Sequence, residues 1–335
     1  MPEHRPRRAL VTGGAGFIGS NFIAWWLGED HDVHVVDLDR LTYAGSLENL
    51  ASVRDSSRHQ FVQGDICDRA LVRRLLEQEA VDTIVHFAAE SHVDRSIDGP
   101  APFIHTNVVG TFTLLEAARD VWAGDASTRF HHVSTDEVYG TLALNDPRFD
   151  ESTPYQPNSP YSASKASSDH LVRAYHHTFG LPVTVSNCSN NYGPHQHPEK
   201  FIPTVIRSAL ARQPIPVYGD GSNRRDWLYV ADHCRAIGAV LANGSSGETY
   251  CIGGDAEAAN LTIARTICGV MDEMLPERAP HESLITFVRD RPGHDWRYAI
   301  DASKVRRTFG WMPLESFETG IRKTVAWYLQ RLQAR

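Results

Sequence analysis

The residues best equipped for chemistry lie between Ser134 and Lys165. An apolar run, Phe130 to Val133, ends in Ser134-Thr135-Asp136-Glu137-Val138-Tyr139-Gly140, and Tyr161-Ser-Ala-Ser-Lys165 opens a helical pattern further on. A hydroxyl, two carboxylates, a phenol and an amine therefore share one short span. On a helix Tyr161 and Lys165 lie one turn apart on one face, so the ammonium biases the phenol toward phenolate. Such a phenol takes a proton from an alcohol while a nicotinamide takes the hydride. Thr135 can hydrogen-bond the same hydroxyl. Alone, Tyr-x-x-x-Lys also describes an ordinary surface helix, and Asp136 and Glu137 also describe acids complementing a helix N-terminus. The strand ending in Ser-Thr upstream favours the catalytic reading.

The elements that must hold these groups read as an alternation of strands and helices. Arg8 to Thr12 is a short strand that runs into Gly13-Gly14-Ala15-Gly16-Phe17-Ile18-Gly19-Ser20 and then an apolar helix, Asn21 to Leu27. Glycines between a strand and a helix permit a tight turn and close approach of backbone to a pyrophosphate, which the helix N-terminus faces. A second strand, Val33 to Leu38, ends among two acids. Asp39 lies 20 residues past Gly19 and Asp37 lies 18 past it. An acid there holds a ribose diol and favours NAD over NADP, although Arg40 is the kind of residue that accommodates a ribose phosphate. Asp39 is the favoured ligand.

A third strand, Gln60 to Gln63, leads to Asp65 and Ile66, placed to cover the adenine edge. The helix Ala70 to Glu79 precedes a fourth strand, Thr83 to Phe87, then Ala88 and Ala89, small enough for a dinucleotide to lie close, and Ser91, within reach of cofactor or substrate. His92, Asp94 and Arg95 read as a local salt-bridged loop. Phe103 to Val121 has helical periodicity with Thr106 and Asn107 facing inward. Arg129 to Val133 is the fifth strand, 140–161 a loop over the pocket, Tyr161 to Phe179 a helix and Val183 to Asn187 the sixth strand. This alternation predicts an α/β fold with a Rossmann-type doubly wound parallel sheet and right-handed crossovers.

After Asn190-Asn191-Tyr192-Gly193-Pro194 the alternation lapses. Lys200, Arg225 and Arg291 supply cations among turns, suited to a diphosphate. Each of them alone also reads as a solvated surface charge. The division expected is a dinucleotide-binding domain over 1–188 and a smaller, interleaved α/β substrate domain over 189–335, with the strand and helix Trp227 to Leu241, within about 225–250, rejoining the nucleotide sheet.

Composition narrows the choices. The chain has 335 residues, 41% hydrophobic and 22% charged, and its 33 basic against 41 acidic side chains give a formal charge of −8. That balance disfavours a general nucleic-acid or membrane-surface binder. Five scattered cysteines without a Cys-x-x-Cys read as reduced packing residues of a cytoplasmic protein. The histidine pairs lack a partner set for zinc, so no metal is expected. The basic first eight residues precede an apolar stretch, Ala9 to Thr12, too short for a signal-peptide core, and no apolar run is long enough to span a bilayer.

Together the glycine segment 13–19, Leu-Thr-Tyr-Ala-Gly at 41–45, Ala-Ala-Glu-Ser-His-Val-Asp-Arg-Ser at 88–96, Ser-Thr-Asp-Glu-Val-Tyr-Gly at 134–140, Tyr-Ser-Ala-Ser-Lys at 161–165, Asn-Asn-Tyr-Gly-Pro at 190–194, Arg-Asp-Trp-Leu-Tyr-Val at 225–230 and Asp-Arg-Pro-Gly-His-Asp at 290–295 resemble the dTDP-glucose 4,6-dehydratases, extended short-chain dehydrogenase/reductases. The match runs nearly end to end, and the Thr-Asp-Glu triplet is its most discriminating part. Arg40 and Ser46 depart from the family's frequent lysine and asparagine, and Trp296 follows the Gly-His-Asp turn.

The resemblance implies a cofactor site of Gly13, Gly16, Phe17, Ile18, Gly19, Asp39, Arg40, Leu41, Thr42, Asp65, Ile66, Phe87, Ala88, Ala89, Ser91, Thr106, Tyr161, Lys165 and Asn191 for tightly held NAD. It implies a substrate site of Ser91, Thr135, Asn190, Lys200, Phe201, Pro216, Val217, Tyr218, Arg225, Asn260, Asp290, Arg291 and His294 for dTDP-glucose. It further implies a homodimer through the helices Phe103 to Val121 and Tyr161 to Phe179.

The chemistry implied uses Thr135, Tyr161 and Lys165 for oxidation at carbon 4, Glu137 as base at carbon 5 and Asp136 as acid toward the hydroxyl leaving carbon 6. Hydride return to carbon 6 gives dTDP-4-keto-6-deoxyglucose. Alternatives are a UDP-sugar 4,6-dehydratase, a nucleotide-sugar 4-epimerase, disfavoured by the Asp136-Glu137 pair, and an NAD-binding regulatory protein.

Overall fold

The computed structural model describes residues 4–333, so the first three residues of the basic opening lie outside the described residues. Among the described residues, twelve strands form three sheets. They are β1 Arg8–Thr12, β2 His34–Asp39, β3 His59–Gln63, β4 Thr83–His86, β5 Arg129–Thr135, β6 Val183–Cys188, β7 Asn190–Tyr192, β8 Ile215–Tyr218, β9 Arg224–Tyr229, β10 Thr249–Ile252, β11 Glu257–Ala259 and β12 Ile285–Val288. The main sheet has seven strands in the order β10-β6-β5-β4-β1-β2-β3. Every pair in it is parallel.

Such strands carry helices on both faces, so each must be apolar on both. Ala9, Leu10 and Val11 of β1 are fully buried. Leu10 packs on one side with Ile84, Leu114 and Phe130, whereas Ala9 and Val11 pack on the other with Phe22, Ile23 and Ile237. Strand order reverses between β1 and β4, which opens a crevice beyond their carboxyl ends.

The helix predicted from Tyr161 runs over Pro160–Phe179. Ser159 and Ser162 close a capping box at its start, Pro160 sets the first turn, and Gly180 at φ 71° ends it. The helix expected over Phe103 to Val121 is real but not regular, since Ile104–Gly110 is a π-helical stretch ahead of Thr111–Trp122.

Two expectations are corrected. Trp227 lies on β9, which pairs with β7 and antiparallel β11 in a separate sheet, because Asp226 draws in the amides of Gly254 and Ala256. The helix that follows, Val230–Asn243, does pack on Phe17–Glu29, where a Cβ on Gly238 would come within 2.2 Å of Trp25, and β10 then becomes the seventh strand of the main sheet. The segment 140–161 does not roof the crevice. Leu142 and Phe149 are buried with Tyr298, Ala299 and Ile300, and backbone bonds lace them to Arg297 and Ala299. β8 and β12 form a third, two-stranded parallel sheet.

Candidate active site

Beyond the ends of β1, β4 and β5 lies a cleft of about 300 Å³ whose lining includes Gly13 and Lys200. Its floor is the glycine turn. Gly13 has φ +75°, and a Cβ there would come within 2.7 Å of the Ala88 nitrogen, while a Cβ on Gly19 would meet the Gly13 carbonyl at 2.3 Å. No side chain caps the Phe17–Glu29 helix, so its first amides remain available to an anion. Asp39 lines the cleft and accepts from the amides of Ala15 at 3.0 Å and Leu41 at 2.7 Å. Asp37 instead lies fully buried beneath Gly14, 3.7 Å from His59, which leaves Asp39 as the acid on the wall. Arg40, also on the cleft lining, pairs with Asp65 at 3.1 Å.

Of the residues assigned to the cofactor, Gly13, Gly16, Phe17, Ile18, Gly19, Asp39, Arg40, Thr42, Asp65, Ile66, Phe87, Ala88, Ala89, Ser91, Thr106, Tyr161, Lys165 and Asn191 all line this cleft, whereas Leu41 stands just behind it. The inward-facing Asn107 is a buttress. Its amide bridges both backbone groups of Glu90, at 2.8 and 3.0 Å, and the Ser164 hydroxyl at 2.8 Å, which ties the π-helical stretch to the loop after β4 and to the helix bearing Tyr161.

The groups of the Thr135-to-Lys165 motif share this cleft. Thr135, Asp136, Glu137, Tyr161 and Lys165 all line the cleft. The Thr135 hydroxyl accepts from the Glu137 amide at 3.3 Å, faces Asp136 Oδ1 at 3.4 Å and bonds the Tyr161 phenol. Asp136 is 1% exposed and its Oδ2 has no hydrogen-bond partner. Burial first, then the neighbouring Glu137 and Asp226, holds the Asp136 carboxyl well above the carboxylate range. Burial raises Glu137 too, but there Arg291, Lys200 and Arg225 oppose it. Neighbours in sequence thus meet opposite fields.

Tyr161 departs from expectation. Its phenol is pushed up by burial, by Glu137 and by Cys188, against the Thr135 hydrogen bond. The Lys165 ammonium is directed instead at the Val133 carbonyl, 2.9 Å away, and at Nε2 of His132, 3.4 Å away.

The residues assigned to the substrate divide. Ser91, Thr135, Asn190 and Lys200 line the cleft, and Lys200 Nζ donates to the Ser91 carbonyl at 2.7 Å. Arg225 and Arg291 lie behind it, close enough to act on Glu137. Arg225 is 5% exposed, bonded to the carbonyls of Arg224 and Asp295 and stacked over Tyr298. Arg291 pairs with Asp94 at 3.0 Å, and Arg95 pairs with Glu199 at 2.9 Å, so the loop read as locally salt-bridged is in fact tied to distant segments.

Tyr218 bonds Asp94, His294 pairs with Asp290, and Phe201 packs near Trp227. Val217 is fully buried in the core, Pro216 faces outward, and Asn260 bonds the Asn223 carbonyl through its backbone. None of these seven, Phe201, Pro216, Val217, Tyr218, Asn260, Asp290 and His294, lines the cleft.

Glu90, Cys188, Gln196 and His197 do line it and were not anticipated. The available signal was the Gly193-Pro194 turn, after which His195, at φ 67°, redirects the chain. Among the described residues one trio of possible metal ligands, Asp65, Cys67 and His105, has ligand atoms within 4.8 Å of one another.

The family model described as GDP-mannose 4,6 dehydratase matches residues 10–324. A dTDP-glucose 4,6-dehydratase of Neisseria meningitidis serogroup B is 57% identical, with 96% of this chain and 93% of that protein covered. The crystal structure of a dTDP-glucose 4,6-dehydratase from Streptomyces venezuelae with NAD and TYD bound superposes with a TM-score of 0.90 at 48% identity, covering 98% of each chain. A UDP-glucose 4-epimerase of Thermus thermophilus in complex with NAD shares the fold at a TM-score of 0.85 but only 28% identity, covering 96% of this chain and 99% of that one. By sequence, fold and the groups gathered in its cleft, the chain belongs to the dTDP-glucose 4,6-dehydratase family.

Proposed function

We propose that this protein is an NAD-dependent lyase that converts dTDP-glucose into dTDP-4-keto-6-deoxyglucose and water. One observation carries the reading: a buried acid, Asp136, and a cation-flanked acid, Glu137, line with Thr135 and Tyr161 the same cleft as the glycine turn and Asp39. The relatives' NAD fits here, because the glycine turn has no room for side chains and Asp39 stands where a ribose diol would be held. Hydride removal from carbon 4 and its return to carbon 6 are the chemistry that bound NAD supplies.

The chain's own groups move the protons. Tyr161 takes the proton of the carbon 4 hydroxyl while Thr135 holds that oxygen. The ketone acidifies carbon 5, where Glu137, kept toward its ionised form by Arg291, Lys200 and Arg225, is the base. Asp136, kept protonated by burial and by Glu137, protonates the hydroxyl leaving carbon 6. Glu137 then returns a proton to carbon 5. Over one turnover Tyr161 gains a proton and Asp136 loses one, and the Thr135 hydroxyl touches both.

The test is incubation with dTDP-glucose, followed by alkali and ultraviolet absorbance of the 4-keto-6-deoxy product. Absorbance with dTDP-glucose supports the reading, UDP-glucose as the better substrate would move the assignment to a UDP-sugar dehydratase, and silence with both would leave an NAD-binding regulatory protein.

A cytoplasmic homodimer is part of the proposal. No helix among the described residues is long and apolar enough to cross a membrane, and the five cysteines are free. Ile104, Val109 and Phe112, on the helical segment proposed for the interface, are 49%, 40% and 44% exposed, as apolar groups awaiting a partner would be.

A further inference from the structure

Beneath the cleft the mechanism leaves a buried carboxylate unused. Asp169 stands one turn beyond Lys165 on the Pro160–Phe179 helix and is fully buried. Its Oδ1 lies 3.2 Å from Nε2 of His132, also fully buried, and the same nitrogen lies 3.4 Å from Lys165 Nζ. Its Oδ2 accepts from the Tyr155 hydroxyl at 2.8 Å and the Asn187 amide at 3.0 Å. Arg173 in turn donates to that hydroxyl at 2.6 Å. A carboxylate so deep stays ionised only against a cation and donors.

Lys165 is faced by His132 from β5, with His86 of β4 beyond it, by Cys188 from β6, and by Asp169 of its own helix. Burial keeps both imidazoles neutral, with His132 down at about 4, and pushes the Cys188 thiol up. Burial also pushes Asp169 up, but the His132 contact and the Lys165 charge outweigh it and leave the carboxyl low. Among these neighbours of Lys165, Asp169 is the carboxylate. It opposes the desolvation that would strip Lys165 of its proton.

We propose that Asp169, which meets Lys165 at Nε2 of His132, is a positioning residue whose buried negative charge keeps Lys165 an ammonium and so readies the Tyr161 and Lys165 groups to take the sugar's proton. This rests on the dehydratase reading above. Removing the charge favours the neutral phenol–amine pair over phenolate–ammonium, because only the latter carries the cation that Asp169 stabilises.

The experiment compares pH profiles of kcat for the purified protein with its cofactor in place. Asp169→Asn should move the alkaline limb down by about one unit or more and lower kcat by about tenfold or more, with KM for dTDP-glucose little changed. Tyr155→Phe removes a hydroxyl from the same network but leaves the charge, so its limb should stay. An unmoved limb in Asp169→Asn, or equal movement in both variants, overturns the proposal in favour of simple packing. If Asp169→Asn does not fold, His132→Leu replaces it: stripped of its ring partner the carboxyl protonates, and the limb should move the same way, an unmoved limb again overturning the idea. Failure of the unaltered protein to form a 4-keto product would sink the dehydratase reading instead.

Discussion

Asp136 and Glu137 are joined by one peptide bond yet are proposed for opposite tasks, a division that rests on what surrounds each. Glu137 has three cations and one carboxylate, Asp295, acting on it, whereas Asp136 has two carboxylates and one cation, Arg225. Replacing Glu137 with Gln should abolish uptake of solvent deuterium at carbon 5 and cut turnover by about 10²- to 10⁴-fold; undiminished exchange would remove Glu137 from the base role.

Asp136 makes a prediction about stability as well. Its folded-state pKa is raised, so its contribution is fully present below the ordinary value of 3.8 and is lost as pH rises through the folded value. At neutral pH the buried acid is therefore a liability. Asp136→Asn should raise the melting temperature near pH 8, with the gain shrinking toward pH 4, while dehydration is lost. A variant that melts lower at every pH would show that Asp136 is retained for structure.

At the scale of elements, the glycine turn lines the cleft and the π-helical stretch buttresses it through Asn107. Gly19→Ala would drive a methyl group into the Gly13 carbonyl. We expect loss of co-purifying NAD and about 1–3 kcal/mol of stability, read by cofactor content and denaturant unfolding; retained NAD would mean the turn yields.

The first six strands were legible because each is a short buried run with a helix after it, and the glycines, Asp39 and the Thr135-to-Lys165 motif sit where β-strands end. The seventh strand was not, because Thr249–Ile252 is four residues long and far in sequence from its partner β6. The π-helical stretch was hidden by periodicity that reads as an ordinary helix. Arg225 and Arg291 were legible as cations, but their action on Glu137 was not, since lone arginines far apart in sequence carry no period.

For the whole molecule, the two halves are joined across the cleft by ties between the loop after β4 and the C-terminal segments: Arg291 to Asp94, Arg95 to Glu199 and Lys200 to the Ser91 carbonyl. A sugar nucleotide seated between them would touch both halves. If the exposed Ile104, Val109 and Phe112 meet a second copy, Phe112→Glu should yield monomers by light scattering and remove the concentration dependence of melting; a dimer unchanged by the substitution would place the interface elsewhere.

The central claim is that hydrogen leaves carbon 4 of the sugar and comes back to carbon 6 of the same sugar while Tyr161, Glu137 and Asp136 handle the protons. The direct measurement is turnover of dTDP-glucose deuterated at carbon 4, without added cofactor, with the product read by NMR and mass spectrometry. The account predicts the label on carbon 6 and none remaining on carbon 4. Label kept on carbon 4 of an epimerised sugar, or lost to solvent, would contradict it.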